Sequence, residues 1–70
     1  MSKEMDFFIY LIENYAYYKG TTGDKVMKEL IDLNILNEIF ENYDFYHIDK
    51  LENAYEDIDK LISEANGKNK

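Results

Sequence analysis

The side chains that most often carry out covalent catalysis are scarce in this sequence. There is no Cys, the only Ser residues are Ser2 and Ser63, and His47 is the only imidazole. A Ser–His–Asp or Cys–His site needs a nucleophile, a base and an orienting acid held together. The sequence therefore argues against covalent catalysis, and we predict no catalytic residue and no enzyme.

Asp44 and His47 form the one pair whose spacing could serve a metal, because residues three apart can share a helical turn. One imidazole and one carboxylate are too few ligands for a tight site. We interpret His47 as a residue that orders its segment through hydrogen bonds, with Asp44 as a candidate acceptor. A contact with a partner protein and a weak metal site are the alternatives, and we predict no cofactor.

Two other patterns resemble chemical sites, but each lacks a feature that the site requires. The run from Gly20 to Lys25 lacks the spacing and the preceding strand of a phosphate-binding loop. Neighbouring acids such as Glu38 and Glu41 could act as general acid and base only if they faced each other across a cleft. We interpret the first pattern as a turn between helices and the second as a solvated helix face.

Helical periodicity of the apolar residues predicts the elements that position these side chains. We expect an all-α fold, a small bundle of four helices of which the third is short. Residues 1–66 would form a single domain and residues 67–70 a frayed tail. The predicted helices begin at Lys3, at Thr21 or Thr22, at Ile35 and at Asp49, where Asp49 and Glu52 resemble a capping box.

The ends of the helices are predicted from residues that tolerate left-handed backbone or stop a helix. Gly20 and Asn34 would cap the first two helices in the left-handed conformation, and Gly67 would end the last one. Tyr43 would end the third helix, and Asp44–Ile48 would be a connector.

The core is predicted from the residues that share one face of each helix. The inward positions are Met5, Phe8, Ile9, Ile12, Tyr15 and Ala16 in the first helix; Val26, Met27, Leu30, Ile31 and Leu33 in the second; Ile35, Leu36, Ile39, Phe40 and Tyr43 in the third; and Leu51, Ala54, Tyr55, Ile58, Leu61, Ile62 and Ala65 in the last. We expect the stripe of the last helix to pack against Ile9, Ile12 and Leu30.

The first helix is more apolar than a surface helix needs to be. Phe7, Leu11 and Tyr18 widen its apolar arc, and three other helices would hardly cover it in a 70-residue chain. We therefore predict a homodimer or a tight heteromer that uses this edge. The alternative is a monomer in which the last helix covers the edge. Tyr10 and Tyr17 lie on the opposite face and are further candidates for partner contacts.

The charge is acidic and uneven. The chain carries fifteen Asp and Glu and eight Lys, for a net charge of −7 with His neutral. Between Glu29 and Asp59 there are ten acids and only Lys50, so that this segment has a net charge of −9. Direct nucleic-acid binding is disfavoured, because phosphate backbones favour clustered Lys and Arg. A solubilising surface, a basic protein partner and an imitation of nucleic-acid charge all fit this pattern.

The sequence also predicts where the protein resides. The longest uncharged runs are too short for a transmembrane helix, the N-terminus lacks the order of a signal peptide, and the absence of Cys is compatible with the cytosol. We expect a cytoplasmic protein that does not interact with membranes.

Two short motifs resemble those of the small helical bacterial family catalogued as domain of unknown function 3791. They are Tyr43-Asp44-Phe45-Tyr46-His47 and Glu56-Asp57-Ile58, together with a Thr22-Gly23 turn after an aromatic-rich first helix. Tyr46 and Ile48 stand where the family pattern has Leu and Thr. Members of the family resemble companions of ADP-ribosyltransferase-like toxins encoded nearby, which implies an antitoxin or accessory role.

From the residues and the resemblance together we expect a non-enzymatic, acidic helical module that binds another protein and acts as the antitoxin-like partner of a toxin. An inhibitor that imitates nucleic-acid charge, and a small metal- or acid-dependent enzyme that uses Asp44 and His47, are the alternatives. The candidate partner-binding residues are Phe7, Tyr10, Leu11, Tyr17, Tyr18, Glu38 and Glu41. The candidate connector motif is Tyr43, Asp44 and His47.

Overall fold

The computed structural model describes residues 2–68, and within them the protein is all-α with no strand. The helices are α1 (Lys3–Tyr18), α2 (Gly23–Asp32), α3 (Leu36–Glu41), α4 (Tyr43–Tyr46) and α5 (Leu51–Lys68). The all-α prediction is confirmed. The prediction of four helices is wrong, because these residues form five, of which α3 and α4 are short.

The difference in helix number arises in the segment after α2. The third helix, predicted over Ile35–Tyr43, stops at Glu41, and Asn42 separates it from α4. The Asn42 N–H donates to the carbonyl of Ile39 three residues back, which tightens the end of α3. The expected connector Asp44–Ile48 is therefore partly helical, and its short helix buries Tyr46. Hydrophobic periodicity cannot reveal α4, because a helix of one turn is too short to show a repeating apolar pattern.

The turns between the longer helices follow the predicted chemistry. Gly20 has φ +72° and Asn34 has φ +61°, so both occupy the left-handed region that was predicted for them. Thr22 is the N-cap of α2, and its hydroxyl accepts a hydrogen bond of 3.4 Å from the Lys25 N–H. Ser2 caps α1 in the same way through the Met5 N–H.

Two predicted features of the last helix differ in the structure. The Asp49 carboxylate accepts hydrogen bonds from the Lys50 N–H at 2.7 Å and from the Asn53 side-chain amide at 3.0 Å. No capping box with Glu52 is present among the hydrogen bonds of residues 2–68. At the other end, Gly67 lies inside α5, which continues to Lys68. The predicted tail of residues 67–70 therefore begins in helix, and residues 69–70 lie outside the described part of the chain.

The core is apolar and is centred on α1, which packs against α2, α3 and α4. Its members are Phe8, Leu11, Ile12, Tyr15, Ala16, Val26, Leu30, Ile39, Tyr46, Ala54, Tyr55 and Ile58. None of the buried residues in the described chain is charged. Val26 and Leu30 of α2 and Ala54, Tyr55 and Ile58 of α5 were predicted to face inward and are buried, so the core stripes of these two helices are largely confirmed.

The predicted inward face of α1 is rotated in the structure. Leu11, expected at the margin, is 1% exposed, whereas Ile9, expected near the centre, is exposed. On α2, Ile31 is 60% exposed although it was predicted to face the core. Phe7 and Tyr18 lie on the same side of α1 as Leu11, and their rings contact Tyr43 of α4 and Tyr55 of α5, so both helices pack on this side. The predictions for Ile9 and Ile31 were therefore wrong.

Candidate interaction surface

Helix α4 and the two residues after it present three different faces. Tyr46 points into the core and is buried. Tyr43 is half-buried and lies against α1. Phe45 and Ile48 project into solvent, with 72% and 76% of their surfaces exposed. These two side chains, called the exposed apolar pair below, belong to no part of the core.

An aromatic cluster joins α4 to α1. The rings of Phe7 and Tyr43 meet edge to face with centroids 5.6 Å apart, and Phe7 also lies 6.2 Å from Tyr10. The His47 ring stacks on Tyr43 at 4.1 Å with an interplanar angle of 6°. Edge-to-face and offset stacked arrangements are the favourable ones for such rings. The cluster therefore fixes the position of α4 on α1.

His47 orders its segment as predicted, but through a different acceptor. Its Nδ1–H donates to the Tyr43 carbonyl at 2.7 Å, and its backbone N–H donates to the same oxygen at 3.0 Å. Asp44 takes no part in these bonds. Because the carbonyl oxygen can only accept, Nδ1 carries the proton, and the Nε2 atom is the one left to contact a partner.

A second cluster of tyrosines lies between α1 and α5. Tyr18 stacks on Tyr55 with centroids 4.8 Å apart, and Tyr15 lies 5.8 Å from Tyr55. The Tyr15 hydroxyl donates to Asp59 Oδ1 at 2.5 Å, and the Lys19 ammonium lies 3.2 Å from the same oxygen. Burial, followed by the hydrogen bond to Asp59, raises the pKa of Tyr15. This cluster holds α5 on α1 and keeps the Tyr15 phenol protonated.

Acidic residues flank the exposed apolar pair in the sequence. Glu41, Asp44, Asp49 and Glu52 are all exposed, and Lys50 is the only cation among residues 41–52. The ion pairs present in residues 2–68 are Lys19–Asp59 and Lys28–Asp32, so these four carboxylates are not neutralised by a neighbouring lysine. The Lys50 N–H and then the Asn53 amide lower the pKa of Asp49, which stays ionised.

The structure separates the predicted partner-binding residues into several groups. Tyr10, Tyr17 and Tyr18 are exposed on α1, and Tyr17 is 87% exposed. Phe7 is half-buried within the aromatic cluster. Glu38 and Glu41 are exposed on α3. Leu11 lies in the core, so the prediction that it belongs to an uncovered edge is wrong, and α4 and α5 cover that side of α1.

The sequence reasoning missed the exposed apolar pair. Phe45 and Ile48 lay in the predicted connector and were given no role as binding residues. Tyr46 lies in the same segment and is buried, so no signal in the sequence distinguishes the exposed residues from the buried one. Within residues 2–68, no group of three His, Asp or Glu side chains is arranged to hold a metal ion, and no helix there is long and apolar enough to cross a membrane.

The fold and this surface define a small all-α protein with an acidic, partly aromatic face. The family model described as "Protein of unknown function (DUF3791)" matches residues 6–65. The chain belongs to that family, and the predicted family resemblance is confirmed. A search of curated proteins and a search of solved structures each found no match.

Proposed function

We propose that this chain is a non-enzymatic module that binds another protein through the acidic and apolar face described above. The observation that carries the proposal is the exposed apolar pair. Tyr46 already fills the core beneath α4, so Phe45 and Ile48 contribute nothing to it. Large exposed aromatic and aliphatic side chains near one another are typical of surfaces that bind protein partners.

The acidic charge supports a basic partner. Ten acids and one lysine between Glu29 and Asp59 create a negative field that would accelerate encounter with a positive surface. Exposed aromatic residues would then supply affinity. A toxin is the partner class that the family resemblance implies, and the antitoxin-like role is proposed on that basis.

The test is a search for a stoichiometric complex. The tagged full chain would be expressed in its native host, captured after mild cross-linking, and each enriched protein purified and titrated with the untagged chain by calorimetry. We expect one protein to bind at a fixed ratio. If no purified candidate binds, the proposal is wrong. Growth rescue on co-expression with that partner would support the antitoxin-like role.

An inhibitor that imitates nucleic-acid charge is the second candidate, and the net charge of −9 over residues 29–59 favours it. Its complex would resemble a nucleic-acid complex in its salt dependence. The binding constant would then fall steeply with salt concentration, and DNA or RNA would displace the chain. A complex that keeps most of its affinity at high salt, and that nucleic acid does not displace, would exclude this candidate.

A further inference from the structure

Two sides of α4 hold the helix in place, and its outward side is available for binding. Tyr46 anchors the helix in the core, and the stack of Tyr43 with His47 fixes it laterally against Phe7. With both of these sides engaged, the outward side is held in one orientation. The segment therefore presents Phe45 and Ile48 on a rigid base rather than on a loose loop.

A rigid base matters for binding because less conformational freedom is lost when the side chains enter a pocket. A Phe side chain has few rotatable bonds and a large apolar surface, which are the properties of an interface anchor. Phe45 and Ile48 are three residues apart, and one of them would fill a pocket while the other covers its edge.

The charges around the pair limit the choice of occupant. Glu41, Asp44, Asp49 and Glu52 flank the pair in the sequence and are all exposed, and Lys50 is the single lysine among residues 41–52. A second copy of this chain would bring the same four carboxylates against one another, which is unfavourable at a closed apolar contact. A surface that carries Lys or Arg around an apolar pocket would instead complement both features.

We infer that the exposed apolar pair is the anchor that enters an apolar pocket on a partner protein, and that Lys and Arg around that pocket pair with Glu41, Asp44, Asp49 and Glu52. This inference rests on the proposed function and names the surface and the partner chemistry.

The first experiment compares one double variant with one single-site control in titrations with the purified partner protein from the capture experiment. Phe45→Ser with Ile48→Ser removes the anchor. Ile31→Ser is the matched control, since Ile31 is also an exposed aliphatic side chain but lies on α2. We expect the double variant to weaken binding at least about tenfold, and the control to change it less than about twofold.

The second experiment tests the charges. Glu41→Gln with Asp44→Asn neutralises two of the four acids, and Glu56→Gln with Glu64→Gln removes the same charge from exposed positions on α5. We expect the first pair to weaken binding and to flatten its salt dependence, whereas the second pair changes both much less. Circular dichroism and thermal midpoints would verify that every variant is folded.

The possible outcomes distinguish a failure of this inference from a failure of the proposed function. If a partner binds and the anchor variant binds it as tightly as the parent, the inference is wrong and the proposed function stands. If the two charge-neutralising double variants weaken binding equally, the inference of Lys and Arg around the pocket is wrong. A dimer of the chain that Phe45→Ser dissociates would show that a second copy occupies the surface, which also overturns it. If no partner binds, both proposals fail.

Discussion

At the scale of single residues, the contact between Tyr15 and Asp59 links the two longest helices across a sequence separation of 44 residues. A hydrogen bond to a charged acceptor stabilises more than a neutral one. We expect Tyr15→Phe to lower the free energy of unfolding by about 1 to 2 kcal/mol at neutral pH, measured by urea denaturation. Tyr17→Phe, at an exposed position of the same helix, is the control and should change it little.

The same tyrosine predicts how stability depends on alkaline pH. Burial and then Asp59 raise the pKa of Tyr15 above its ordinary value of 10.0, and burial raises the pKa of Tyr46 and of Tyr55 in the same direction. Above that ordinary value the unfolded chain loses phenolic protons that the folded chain keeps. Stability is therefore fully present below about pH 10 and falls as the pH rises further.

The measurement is a series of urea midpoints across this pH range. We expect the decline above about pH 10 to be shallower in Tyr15→Phe than in the parent, because one of the shifted phenols is gone. Tyr17→Phe should decline as the parent does. Parallel curves for Tyr15→Phe and the parent would show that Tyr15 contributes no such linkage.

Removing the buried hydroxyl of Tyr46 is not expected to lower stability, in contrast to removing the hydroxyl of Tyr15. No residue among 2–68 forms a hydrogen bond of good geometry with the Tyr46 hydroxyl, although Asn42 and Asp57 lie near enough to affect its pKa. A buried polar group without a partner costs about 1 to 3 kcal/mol, so Tyr46→Phe should leave stability unchanged or raise it by up to that amount. Thermal and urea unfolding would both report the change. A loss of more than about 1 kcal/mol would mean that the hydroxyl has a partner, such as an ordered water.

Ile58 tests the core where α5 meets the rest of the protein. It is 0% exposed, so Ile58→Ala should cost about 2 to 5 kcal/mol. That loss could unfold a domain of 70 residues, and Ile58→Val, expected to cost about 0.5 to 1.5 kcal/mol, keeps the measurement possible. Ile31→Val on the surface is the matched control. Equal losses at the two positions would contradict the assigned core.

At the scale of elements, Gly20 and Gly67 have opposite roles. Gly20 occupies the left-handed region with φ +72°, whereas Gly67 lies within the last turn of α5, and a Cβ at either position would meet no neighbouring atom. Gly20→Ala should therefore destabilise the protein by about 1 to 2 kcal/mol through backbone strain alone. Gly67→Ala should stabilise it, by up to about 1 kcal/mol.

Both variants are measured by urea denaturation against the parent. Both substitutions add the same methyl group, so the test is whether the two changes in the free energy of unfolding have opposite signs. If Gly67→Ala also destabilises the protein, Gly67 would be the end of the last helix, as its position in the sequence first indicated.

The elements also show how far the sequence could predict the fold. Long periodic segments and turn residues were sufficient for α1, α2 and α5 and for the left-handed Gly20 and Asn34, and they left the cap of α2 open between Thr21 and Thr22. The break at Asn42 and the turn of α4 depend on Tyr46 finding space in the core, which is a tertiary effect. The end of α5 was misplaced because Gly67 tolerates both a helix and a cap.

At the scale of the whole molecule, the side of α1 that faces the core could not be predicted from α1 alone. Ile9 and Leu11 are both apolar, and only the positions of α4 and α5 decide which of them is covered. The same limit applies to the candidate site. The motif Tyr43-Asp44-Phe45-Tyr46-His47 was recognised, yet the orientation of a single helical turn decides that Tyr46 is buried and Phe45 exposed.

The burial of Leu11 changes the expected oligomeric state. Leu11 is buried and Phe7 half-buried, so Tyr18 is the one exposed member of the Phe7–Leu11–Tyr18 edge. With so little of this edge exposed and a net charge of −7, we expect the isolated chain to be a monomer in light scattering at high concentration. Leu11→Glu would place a charge in the core and should unfold the chain rather than dissociate it. A parent dimer that Leu11→Glu converts into a folded monomer would contradict this.

The packing of α1 against α2, α3 and α4 has a consequence for folding kinetics. The contacts of α2 with α1 close a short loop, whereas Phe7–Tyr43, Phe8–Phe40 and Tyr15–Asp59 each join residues far apart in the sequence. Contacts between neighbouring segments form faster, because less chain entropy is lost when a short loop closes. The pair of α1 and α2 can therefore form first, and α3, α4 and α5 dock on it later, so that a longer loop between α2 and α3 would retard only the later step.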